Sequence, residues 1–223
     1  MSSITLYDFE VQNLLKNGKG QIRRVCKVQP PNDNYKLGRE TSGKHEGKLF
    51  WYDDDFCCSE HFTCPFGAVG EEIRVKETWY YESHLYELTA DEPDLPSGRY
   101  SHRYIYRASN PDYPVNLGVG EHGWKSPVTM PREASRLTII PERIWTEKLQ
   151  DMTEQDAIEC GFEGVRCHHH PFGNTVYGCT DCYNTGWLEP PTAEFVFEWD
   201  SRAKPGYKFA DNPVVWCGEV RVK

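Results

Sequence analysis

The chain has 223 residues, of which 13% are aromatic, with seven Trp and a formal net charge of −9. That length supports a sizeable core and one domain over residues 1–223, and the aromatic content excludes a disordered chain. The acidity excludes broad, non-specific affinity for nucleic acid but leaves room for a local basic groove. No apolar run approaches the roughly 20 residues that cross a bilayer, and MSSITLYDFE lacks a basic start followed by an apolar stretch, so the expected location is the cytoplasm.

In ITLYDFEVQNLLK, Val11, Leu14 and Leu15 fall at i, i+3, i+4 and predict a short helix, with Asp8 as N-cap and Asn17-Gly18 as its stop. KGQIRRVCKV follows, with Lys19, Arg23, Arg24 and Lys27. It reads either as a solvated cationic turn entering a strand or as a basic lip that meets phosphate. Residues 28–62 read as an inserted loop, within which LFWY (Leu49 to Tyr52) is one strand of a hairpin. Asp53, Asp54 and Asp55 read as a solvated turn, since no Gly-bearing Ca²⁺ loop pattern surrounds them. Adjacent Cys57 and Cys58 are poor joint ligands for one metal.

CPFGAVGEEIRVKETW, Cys64 to Trp79, reads as a tight turn and then a buried strand. Pro65, Gly67 and Gly70 punctuate the turn; Ile73 and Val75 alternate with Arg74 and Lys76. Glu77 needs a partner or a cleft. RYIYRA predicts a strand with Tyr104 and Tyr106 on one face; the rest of 80–125 reads as loop. The Tyr and Arg mixture there suits either base stacking or a barrel wall. In WKSPVTMPREASR, Arg132, Ser135 and Arg136 precede the next strand. They form an anion clamp, or one of the two Arg pairs with Glu77. Leu137 to Leu149 predicts one long strand, or two bent at Pro141. MTEQDAIECGF starts a helix, with Thr153 as N-cap, Glu154 and Asp156 at its positive end and Gly161 as its end. TAEFVFEWD alternates Phe195, Phe197 and Trp199 and reads as a strand, and PVVWCGEVRV as the closing strand.

Nine Cys is an odd count, unevenly spaced. In a reducing compartment they read as metal ligands or core thiols. Cys167, His170, Cys179 and Cys182 give C-x2-H-x8-C-x2-C, with His168 or His169 as alternatives to His170. Paired ligands at x2 spacing suit a tetrahedral, structural Zn²⁺ that staples an insertion at about 163–190. A redox CxxC and chance clustering are the alternatives.

The Cys64 to Trp79 stretch resembles the CPYG-x-x-GD-x-(LI)-x-V-(RK)-ETW signature of phage and prophage proteins with an ASCH domain. MPREASR resembles their MPR-x-ASR, EKLQDMTEQDAIECG their ERLQDI-(TS)-xxDA-xx-EG, DNPVVW their (AD)NPWVW and QIRR their KTQTRR. The segments come in family order and span nearly the whole chain. The resemblance implies an α+β, PUA-like (ASCH) β-barrel with short helices at its openings. It also implies a cleft for a nucleotide, a modified base or RNA, bordered by Lys19, Arg23, Arg24, Glu77, Trp79, Arg132, Ser135 and Arg136. Some small ASCH proteins are amidohydrolases of acylated cytidine, with a Lys and a Thr in GRKTITIR and a Glu late in a helix. Lys19 matches their Lys, but Ile22 stands at the Thr. Cys160 stands at the Glu, with Glu159 displaced by one residue, or about 100° around a helix. The resemblance therefore favours binding over amidase chemistry. The other readings are a hydrolase or ribonuclease using Lys19 and Glu77, and a phage morphogenesis accessory.

Overall fold

The computed structural model describes residues 2–55, 58–85, 100–113, 123–168, 179–183 and 185–223. The fold is α+β, with a mostly sheet core. The central sheet contains β1 (Ser2–Thr5), β2 (Lys19–Val25), β5 (Ile73–Lys76), β8 (Thr138–Lys148) and β11 (Val214–Val222). Their order is β1-β5-β8-β11-β2. Only β1 and β5 run parallel; the other pairs are antiparallel. No backbone ladder joins β1 to β2, so the closed barrel expected from the sequence does not form. The sheet is nevertheless curled enough that its two outer strands meet. Arg24 in β2 donates from Nη2 to the Thr5 carbonyl in β1 at 2.9 Å.

The two faces of the sheet carry two cores. Ile22, Ile73, Val75, Ile139, Trp216 and Val220 share the inner cluster with Leu6, Val11 and Leu14. Val215 and Cys217 point the other way, into a second cluster with Leu149, Ala157, Cys160, Phe162 and Phe195. The period-2 alternation of β11 thus serves both layers. Phe66, fully buried, lies in the inner core against Gly218; a Cβ there would stand 3.1 Å from the ring. This is the structural role of the CPFG turn.

Helix α1 (Asp8–Asn17) buries Val11 and Leu14 and leaves Leu15 exposed. Its N-cap is Tyr7, not Asp8. Glu10 accepts from the Tyr7 N–H at 2.8 Å, while Asp8 pairs with Arg107. Gly18 ends the helix at φ 71, a backbone state that a Cβ would strain. In α2 (Glu154–Glu159), Thr153 and Asp156 form a reciprocal capping box, and Cys160 follows as C-cap. The segment Pro191–Arg202 is a helix, α3, and not the strand its alternating aromatics suggest. Pro191 opens it, Glu194 sits in the first turn and Arg202 in the last, each favourable to a helix at that position. Phe195 and Trp199 stack one turn apart with centroids 5.6 Å apart, while Phe197 is 74% exposed.

Residues 28–62 are more than an inserted loop. β3 (Lys36–Arg39) and β4 (Leu49–Tyr52) form a hairpin that contributes Leu49 and Trp51 to the inner core. β6 (Trp79–Leu85) and β7 (Tyr100–Tyr106) form another, with Trp79, Tyr81, Tyr104 and Tyr106 around Met130 and Ala134. β8 runs unbroken through Pro141, where its register with β11 shifts. β9 (Val165–Arg166) and β10 (Trp187–Glu189) make a third short pair. The loop reading at 86–99 and 114–122, Cys57, and the His169–His170 part of the metal motif lie outside the described residues. Among the described residues no helix is long and apolar enough to cross a membrane.

Candidate functional site

A cavity of about 560 Å³ opens where β2, α2 and α3 meet the start of α1. Cys160, Arg23 and Val25 line it from below; Tyr7, Phe9, Phe162, Phe195, Trp199 and Tyr207 supply aromatic wall; Pro65, from the CPFG turn, also borders it. Five cationic side chains, Arg23, Arg24, Lys27, Arg202 and Lys204, line it against one acid, Glu10. In a chain of net charge −9 this is a local reversal of sign.

The two β2 arginines are held rigidly. Arg24 makes a bidentate pair with Glu10, at 2.6 and 2.7 Å, and lies over the Tyr7 ring at 5.2 Å. Arg23 is 3% exposed. It bonds Glu147 and donates to Gln21 at 2.7 Å, and it lies 3.6 Å from Asp156 and 3.3 Å from the Cys217 sulfur. Gln21 in turn donates to Asp156 at 3.0 Å, and the Trp145 indole donates to Glu147 at 2.6 Å. Burial works to raise the Asp156 pKa, but the Thr153 hydrogen bonds, Gln21 and the Arg23 charge outweigh it. The carboxyl ends below its ordinary value. Burial pushes the Cys160 thiol up to about 12, only partly offset by Arg23. At neutral pH Cys160 is therefore a protonated, poorly nucleophilic wall group.

Of the eight predicted ligand residues, Arg23 and Arg24 line this cavity and Lys19, Glu77, Trp79, Arg132, Ser135 and Arg136 do not. Lys19 is exposed at the far end of β2, opposite Arg221. Glu77 is 1% exposed and takes a bidentate bond from Arg136, at 2.9 and 2.8 Å, while Arg136 lies 4.1 Å from the Tyr106 ring centroid. Ser135 donates to the Val75 carbonyl at 2.7 Å, and the Trp79 indole to the Ser126 carbonyl at 3.2 Å. These four residues tie the β6–β7 hairpin and the 126–136 segment to the sheet. Arg132 is exposed. Of the amidase-like positions, Ile22 faces the inner core, Lys19 is exposed in β2, and Cys160 is buried at the C-terminal cap of α2.

Sequence reading missed Phe9, Phe162, Phe195, Trp199, Arg202 and Lys204, because they come from three separated segments. One available signal was the Phe195, Trp199 and Arg202 series, which shares a face only if 191–202 is helical.

The second candidate is a thiol cluster. The sulfurs of Cys167, Cys179 and Cys182 lie within 4.8 Å of one another, and those of Cys167 and Cys179 are 3.8 Å apart. A disulfide needs about 2.05 Å, whereas two sulfurs on one tetrahedral zinc at about 2.3 Å stand about 3.8 Å apart. Three such thiols can bind a metal ion. Cys167 and Cys182 are buried, and the Cys167 N–H bonds the Gly186 carbonyl next to the Cys182–Thr185 turn.

Comparison of the chain with protein-family models, with curated proteins and with solved structures gives no match.

Proposed function

We propose that the protein is an ASCH-type binding module, of the phage and prophage kind its motifs resemble, that holds a base-bearing ligand in the β2–α3 cavity. The ligand class is a nucleotide, a modified base or a residue of RNA. The observation that carries this reading is one cavity that combines stacking aromatics with five cations in an acidic protein. Aromatic rings accept any base by its face, and cations meet phosphate. Hydrolase chemistry finds less support. The Cys160 thiol stays protonated, Ile22 offers no nucleophile, and Lys19 and Glu77 stand outside the cavity. Titration with ribonucleosides, their 5′-monophosphates and short RNA, followed by Trp fluorescence, tests the reading. Saturable binding at low salt that Trp199→Ala weakens is expected. No binding of any probe overturns it and leaves the morphogenesis accessory as the better account.

The thiol cluster we assign to one structural Zn²⁺, with Cys167, Cys179 and Cys182 as three ligands and His170 as the fourth. Its support is the sulfur spacing together with the x2/x8/x2 pattern. A four-ligand site has no open position for a substrate water, so the ion holds the 163–190 segment rather than acting on a ligand. Elemental analysis of purified protein should give about one zinc per chain. A value far below one, without prior chelation, refutes the assignment.

A further inference from the structure

The five cavity cations are not equivalent. Arg23 is engaged by Glu147 and Asp156, Arg24 by Glu10, and Arg202 by Glu198. Lys27, just past β2, and Lys204, just past α3, are exposed and make no ion pair among the described residues. They come from elements distant in sequence and line the same cavity.

The neighbouring surface has the opposite character. A second cavity of about 780 Å³ shares Tyr7, Phe9, Phe162 and Arg202 with the first. Its charged lining is Asp8, Glu194 and Glu198 against Arg107 and Arg202, an excess of acid. Both of its cations already have carboxylate partners, Arg107 with Asp8 and Arg202 with Glu198. The partition between the two is built from stacked rings. Tyr7 and Phe9 lie 5.9 Å apart and nearly parallel, and the Arg202 guanidinium sits over both, at 4.3 and 5.1 Å.

Building on the base-binding reading above, we propose that the ligand is a nucleoside monophosphate, with its phosphate between Lys27 and Lys204 and its base against the aromatic wall, and not an internal residue of a strand. A strand that ran on past the Tyr7–Phe9–Arg202 partition would bring a phosphodiester to a surface whose two cations are already paired, with Asp8 and Glu198, and where Glu194 leaves one carboxylate in excess, so it would find no cation to meet it. Two ammonium groups without an ion pair among the described residues also match a terminal phosphate, which carries nearly two negative charges at neutral pH, better than a diester, which carries one.

The test uses the full-length protein. The probes are the four ribonucleosides, their 5′-monophosphates and a single-stranded RNA hexamer with hydroxyl ends. The monophosphate of the preferred base should bind at least about tenfold tighter than its nucleoside. Lys27→Ala with Lys204→Ala should erase most of that advantage and flatten the salt dependence, while nucleoside affinity stays within about twofold. Lys27→Arg with Lys204→Arg should keep the preference. Because both lysines are exposed, unchanged circular dichroism and melting confirm that the variants fold. The hexamer should bind no tighter than the nucleoside. If nucleosides bind but the phosphate adds nothing, if the double alanine variant keeps the advantage, or if the hexamer binds tightest, the monophosphate proposal is wrong and the base-binding reading stands. If no probe binds, both fall together.

Discussion

Arg23 is enclosed, while its two carboxylate partners, Glu147 and Asp156, keep partial contact with water. Arg23→Ala removes the only cation among these groups and leaves two carboxylates facing each other across a buried site. Loss of one partner from a buried pair costs about 3–5 kcal/mol, and the partial hydration of the carboxylates places this case near 3 kcal/mol. Urea unfolding of the variant measures it. The titration of the same cluster has a definite sign. The Asp156 pKa is lower in the folded than in the unfolded chain, so its contribution is complete above about pH 4 and is lost as pH falls below that. The Cys160 pKa is raised, so its contribution is complete below about pH 8.5 and is lost as pH climbs toward about 12. Melting temperature against pH should therefore decline at both ends. Replacing Asp156 with Asn should remove this group's share of the acid limb, and Cys160→Ala its share of the alkaline limb, while Cys26, and Cys217 beside Arg23, whose thiols burial also pushes up, keep theirs.

At the scale of elements, the stretches with one dominant local signal were readable. Val11 and Leu14 defined α1, Thr153 capped α2 with Asp156 in its first turn, alternation marked β5 and β7, and PVVWCGEVRV read as the closing strand, β11. Helix α3 was not, because Phe195, Phe197 and Trp199 mimic a strand of period two. The decisive fact is tertiary. Phe195 meets Phe162 edge-on, at 5.5 Å between centroids, and Thr192 bonds Glu154 of α2 at 2.7 Å, whereas Phe197 is left outside. The aromatic wall of the candidate site was hidden for the same reason, since it exists only once α3 is a helix lying on α2. The basic half, Arg23 and Arg24, was visible from composition alone. The two assignments separate cleanly by mutation. Phe195→Ala should cost about 3–5 kcal/mol, while Phe197→Ala should stay within about 0.5 kcal/mol. Equal losses in chemical unfolding would count against the helix.

Across the whole molecule, the CPFG turn and the closing strand are one structural unit, although about 150 residues lie between them. Phe66 occupies the inner core over Gly218, and neighbouring Pro65 borders the cavity. Phe66→Ala should cost about 3–5 kcal/mol and, because the same turn borders the cavity through Pro65, should also lower ligand affinity although Phe66 itself is buried away from the cavity. Thermal melts and the nucleotide titration on one preparation measure both effects.

The contact of Arg24 with the Thr5 carbonyl bears on how the molecule breathes. A sheet sewn shut by ladder bonds opens strand by strand; one whose outer strands, among the described residues, meet through a side-chain hydrogen bond and core packing in place of a ladder has a seam. Amide exchange should accordingly be fastest in β1, next to that seam, and slowest in β11, which is laddered on both sides. Arg24→Ala should speed exchange in β1 several-fold and leave β11 nearly unchanged. Tyr7, Arg24 and Val25 border both the seam and the cavity, so an occupant of the cavity would act as a stitch across it. Protection of β1 amides on adding nucleotide would then report binding at a distance from the bound atoms themselves.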